Sequence, residues 1–123
     1  MADQLLIVSA AVMQRLSTLR TEAKFHPRPE CFYPGAPTEE IRQEAEAAVN
    51  AMLDRLLNGV AKSPRKSFVL TEFQEMLNGF EQGDTEEREE ICMYCDRVMD
   101  VLGIKSSDGL LNTWLYGFDP DQK

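Results

Sequence analysis

The stretch from Asp84 to Gly103, DTEEREEICMYCDRVMDVLG, constrains the fold of this chain more than any other. Ile91, Cys92, Tyr94, Cys95, Val98, Met99, Val101 and Leu102 fall on one half of a helical wheel. Glu86, Glu89, Glu90, Asp96, Arg97 and Asp100 fall on the other. A strand, whose side chains change face at every residue, cannot sort this pattern. Asp84 is the expected N-cap, with Glu87 three residues on in capping-box spacing. The acids of the first turns suit the positive end of the helix dipole, and Gly103 is the stop. Met93 stands in the middle of the acidic half, the one apolar residue where the pattern asks for a polar one.

The same period recurs along the chain. Leu5, Val8, Val12, Leu16 and Leu19 make a stripe that predicts a first helix, capped by Asp3 and running to about Leu19 or Thr21. Ile7 and Ala11 widen its apolar face, which is a candidate for self-association as well as for burial. Thr38 caps a second helix, with Glu39 and Glu40 in its first turn and Asn58-Gly59 at its end. A third starts between Pro64 and Thr71 and runs to Asn78, with Val69, Phe73, Met76 and Leu77 on one face. Ser106 or Ser107 caps a short last helix through Leu115, in which Leu110, Leu111, Trp114 and Leu115 are spaced to pack inward, Trp114 as an anchor. Residues 24–37 break the series: Pro27, Pro29, Pro34 and Pro37 forbid a helix. The expected form is a strap over one side of the core, pinned by Phe25, Phe32 and Tyr33.

These elements predict an all-α fold: an irregular or orthogonal bundle of four main helices plus a short C-terminal one, in a single domain over residues 1–123. No apolar run approaches the roughly 20 residues of a membrane span. The N-terminus lacks the basic start of a signal peptide, and three cysteines, an odd number, suit a reducing compartment. A cytoplasmic protein is expected. The net charge of −8 is uneven, with ten acids against four bases in residues 84–123 and eleven against nine before them. General nucleic-acid binding, which needs a basic footprint, is thereby disfavoured, whereas steering towards a basic partner is permitted, and the acidity equally serves to keep the protein soluble.

Chemistry is sparse. His26 is the single histidine, and a site assembled by the fold near His26 and Cys31 is the enzymatic alternative. No nucleophile elbow, P-loop or dinucleotide fingerprint supports it. Cys92 and Cys95 have the spacing of half a zinc site, but they lie on the apolar arc, where packing is the preferred role, so neither a metal nor a cofactor is expected. The segment SSDGLLNTWLYGFDP, following DTEEREEICMYCDRVMDVLGI, resembles the C-terminal part of an uncharacterised bacterial family of small helical proteins. That resemblance implies a bacterial, all-helical protein and supplies no catalytic residues. The reading that remains is a non-enzymatic acidic binding module, of the inhibitor or immunity type, that masks a basic partner. Its contact residues are Glu86, Glu89, Glu90, Met93, Asp96 and Asp100. A self-associating structural or regulatory module, acting through the first helix, is the other non-catalytic alternative.

Overall fold

The computed structural model of the chain describes residues 3–80 and 85–117. Five α-helices organise them: α1 (Ala10–Thr21), α2 (Glu39–Gly59), α3 (Lys66–Asn78), α4 (Thr85–Leu102) and α5 (Leu110–Tyr116). One 3₁₀ turn, Pro29–Cys31, and two isolated β-bridges complete the regular structure, and no strand occurs among the described residues. The fold is all-α. Asp84, the loop before it and the tail from Asp119 lie outside the described residues.

α2 is the hub, packing against α1, α3 and α4, while α5 lies on α3 and α4. The Thr38 hydroxyl accepts the Ile41 N–H and starts α2 where its sequence places the cap. Ala45, Val49, Met52, Leu53 and Leu56 are then buried at helical spacing. Gly59 closes the helix against Phe68 of α3; an added Cβ would stand 2.5 Å from the end of that ring. Val69, Phe73, Met76 and Leu77 of α3 and Ile91, Cys95, Val98 and Leu102 of α4 complete the central layer. Gly103 takes φ +75°, and the Ile104 N–H reaches back to the Met99 carbonyl at 2.8 Å, a left-handed helix stop that favours glycine. In α5, Leu111 is buried and its N–H is held by the Ser107 hydroxyl at 3.2 Å. Trp114 is half-buried against the core, with the Arg88 guanidinium 4.5 Å above its ring.

The N-terminus departs from the expected helix. α1 begins only at Ala10, where the Ser9 hydroxyl accepts the Val12 N–H. Residues 3–9 form an extended arm that lies along residues 64–66: the Leu6 N–H donates to the Pro64 carbonyl and the Lys66 N–H to the Gln4 carbonyl. The arm therefore follows the two-residue period of extended chain. Leu6 and Val8 turn inward, while Leu5 and Ile7 are exposed. Asp3 caps α3 instead of α1, its carboxylate accepting from the Ser67 N–H and hydroxyl. Arg65, at the N-cap position of α3, supplies no side-chain cap of its own. A cap from a distant segment fills that role, and the arm is drawn out of the helix.

The strap keeps its expected role with one change. Phe25 and Tyr33 are buried pins, but Phe32 stands 95% exposed. Arg28 and Tyr33 exchange both backbone hydrogen bonds, closing a small hairpin around the 3₁₀ turn. Lys24, at the strap's start, is buried and donates to the Leu19, Arg20 and Glu22 carbonyls, satisfying the open C-terminal end of α1.

Candidate functional site

α4 presents two polar rows, and they do different things. Glu86, Glu89, Asp96 and Asp100 are exposed along an outward stripe, with Met93 half-buried between them and packed against the core. From Glu86 to Asp100 the stripe spans about 21 Å at 1.5 Å per residue. Glu90 does not belong to it. Although the sequence pattern puts Glu90 on the acidic half, it is buried, because the strap folds over the edge of that half. Its two carboxylate oxygens take Arg28 in a forked ion pair, Nε to Oε2 at 3.3 Å and a closer contact from the second guanidinium nitrogen to Oε1.

One helical step from this pair lies a second buried carboxylate, Glu87. Its Oε1 accepts the Tyr33 hydroxyl at 3.3 Å. Burial, followed by the charges of Glu87 and Glu90, raises the Tyr33 pKa well above its ordinary value, so the phenol stays protonated as a donor. Tyr94 completes the layer. Its ring meets Phe25 at 5.3 Å, its hydroxyl accepts the Phe25 N–H at 3.3 Å, and burial raises its pKa. Strap and α4 are thus joined by an aromatic pair, a forked ion pair and a phenol–carboxylate bond.

These contacts hold the hairpin tip in one geometry. Phe32 adopts φ +58°, in the left-handed region that a bulky residue rarely enters, and points its ring into water. Its chain neighbour Tyr33 is tied to Glu87, and Arg28 across the hairpin is tied to Glu90, so the hairpin that carries Phe32 is anchored on the N-terminal half of α4. Sequence reasoning counted Phe32 as a pin. The only available signal was its place between Pro29 and Pro34, which does not say which aromatic faces inward.

The other candidates separate. His26 and Cys31 are both exposed, but they have different neighbours. Cys31 Sγ receives an Arg28 N–H at 3.5 Å. His26 lies towards the start of α2, where it makes a minor contribution, after the hydrogen bonds from Arg42, to lowering the Glu39 pKa. Cys92 and Cys95 are both buried in the core. Burial, with a smaller contribution from the Asp96 charge, pushes the Cys92 thiol up to about 11, and burial raises Cys95 further from its ordinary value. Thiols held protonated in this way are poor nucleophiles. Among the described residues no group of three or more His, Cys, Asp or Glu side chains converges on a metal-sized site. No helix among them is long and apolar enough to cross a membrane.

Residues 8–119 match the model of a domain of unknown function, DUF4844. The chain belongs to this family. The match takes in all five helices and the strap, and it leaves arm residues 3–7 outside. In three dimensions the chain is similar to the crystal structure of a DUF3571 family protein from Acinetobacter baumannii AYE. The TM-score is 0.79 over 88% of this chain and 90% of that one, at 23% identity. At that identity the likeness establishes a shared helical fold and nothing about activity. No curated protein matches the chain. The resemblance to an uncharacterised family of small helical proteins is thereby established.

Proposed function

We propose that this chain is a non-enzymatic, cytoplasmic binding module of bacterial origin, built as a single irregular helical bundle over residues 1–123, that masks a basic protein partner. One observation carries the reading: a 95% exposed phenylalanine on a hairpin tied to α4, the helix that also presents an exposed row of carboxylates. A rigid aromatic loses little conformational freedom on docking and fills a partner's pocket, the usual composition of an interface anchor. Glu86, Glu89, Asp96 and Asp100 along α4 speed encounter with a basic surface, and the half-buried Met93 adds adaptable contact area. Glu90 leaves the contact set proposed from sequence and acts from below, by fixing the hairpin.

The test compares the parent with two variants in affinity capture from bacterial extract, followed by binding kinetics on whatever protein is retained. Phe32→Asn removes the ring and suits the left-handed backbone, so the hairpin stays formed. Glu86→Lys with Glu89→Lys reverses the near end of the stripe. A basic protein that is held by the parent and lost with Phe32→Asn, and whose association slows with the lysine pair, supports the reading. Retention of the same proteins by all three chains, or capture of acidic ones only, would exclude it.

Self-association has one observation in its favour, transferred from the expected helix to the arm: Leu5 and Ile7 are 66% and 84% exposed. Sedimentation of the parent and of Ile7→Asp at rising concentration separates the two. A mass that grows with concentration in the parent alone would favour the self-associating module.

A further inference from the structure

We propose that the cleft between α1 and α4 binds a small zwitterion, specifically a free α-amino acid with an apolar side chain. The cleft encloses about 290 Å³. That is close to the lower end of ligand-sized cavities, which suits a small metabolite of about ten heavy atoms. Its floor is apolar, made by Leu19 of α1, which is buried, and Val101 of α4, which is half-buried.

The walls carry four charges in two states. At one end Arg97 and Glu22 pair across the cleft at 2.9 Å and neutralise each other. Arg15 on α1 and Asp100 on α4 line the same cleft, are exposed, and have no ion-pair or hydrogen-bond partner among the described residues, each other included. An open guanidinium and an open carboxylate therefore face one apolar floor from opposite walls. Thr18, also in the lining, donates its hydroxyl hydrogen to the Gln14 carbonyl at 3.0 Å, which leaves its oxygen able to accept.

This charge layout selects among ligand classes. A simple anion that reached Arg15 would also face Asp100, and a simple cation that reached Asp100 would also face Arg15. A molecule carrying one carboxylate and one ammonium on a short apolar body satisfies both open groups at once and covers Leu19 and Val101. Guanidinium suits the carboxylate through its planar fork, and Asp100 with the Thr18 oxygen accepts from the ammonium. The groups are solvated, so binding is expected in the millimolar range, as for other exposed charge contacts.

The experiment titrates the isotope-labelled full chain with L-leucine and follows the methyl signals of Leu19 and Val101 by NMR. Two controls keep the skeleton and drop one charge: 4-methylpentanoate lacks the ammonium and 3-methylbutylamine lacks the carboxylate. The expected result is saturable shifts at both methyl groups with L-leucine and none with either control. Arg15→Gln and Asp100→Asn should each weaken binding about two- to fivefold, the loss of one exposed charge contact. Both side chains are exposed, so the variants keep the parent spectrum away from the cleft. No saturation by L-leucine up to its solubility limit, equal binding of a control, or unchanged affinity in both variants would overturn the proposal.

Discussion

Glu90 is the residue at which local pattern and three-dimensional structure diverge, and the divergence has an energetic signature. It sits on a helical arc with Glu86, Asp96 and Asp100, and nothing within its own helix marks it as different. Arg28, its partner, lies 62 residues earlier in a proline-rich strap, and its forked contact holds a carboxylate whose side chain is 7% exposed. Removing one member of a buried pair leaves a charge without compensation, at a cost of about 3–5 kcal/mol when both are fully enclosed. The Arg28 side chain is 32% exposed, so solvent relieves part of that penalty. Arg28→Met is expected to cost about 2–4 kcal/mol in urea unfolding. Arg28→Met with Glu90→Leu should recover most of that loss, since an apolar pair of similar volume fills the space without burying charge. A single variant within about 0.5 kcal/mol of the parent would mean that Glu90 reaches water and that the strap is held by its aromatics alone.

At the scale of elements, legibility follows sequence distance. α2 was readable because cap, period and stop all lie within the element, Thr38 to Gly59, and the apolar arc of α4 because period and stop do, Ile91 to Gly103. The first seven residues of the N-terminal stripe were not. Leu5, Val8, Val12, Leu16 and Leu19 fit a helical period, yet the choice was made by Pro64 and Ser67, some 60 residues away. The candidate site shows the same division. Four carboxylates of the stripe were legible from the wheel, whereas the Phe32 tip depends on Arg28–Glu90 and Tyr33–Glu87 contacts that no local pattern encodes. The junction of α2 and α3 provides a test of packing against propensity. Gly59→Ala should gain up to about 1 kcal/mol from helix propensity. It also places a methyl group 2.5 Å from the Phe68 ring, and overpacking of this kind typically costs about 1–3 kcal/mol. Packing is expected to win, for a net loss of about 1 kcal/mol in thermal or urea unfolding. Gly59→Ala with Phe68→Leu should return to the parent's stability. If Gly59→Ala alone stabilises the protein, the ring moves aside freely and the close approach does not determine the glycine.

At the scale of the whole molecule, the arm is a clasp between elements that are distant in sequence. Asp3 caps α3, Gln4 donates to the Gly103 carbonyl at the end of α4, and Leu6 enters the shared core. The family match begins at residue 8, so the five helices are matched without it. This leads to a prediction that distinguishes an arm from a helical turn. Removing the first seven residues withdraws one buried leucine, worth about 1.5–3 kcal/mol by the area it hides. The truncated chain should unfold cooperatively at correspondingly lower urea. Its far-UV ellipticity, expressed per molecule, should equal the parent's, because residues 3–7 are extended and contribute no helical hydrogen bonds. Had Asp3 capped a helix through Leu19, the same deletion would remove the cap and just over one turn and lower the signal. A drop of that size would restore the helical reading of the N-terminus and free Asp3 from α3. Unchanged ellipticity with reduced stability would place the arm as an extended clasp, one that tightens a helical core already complete in its connections.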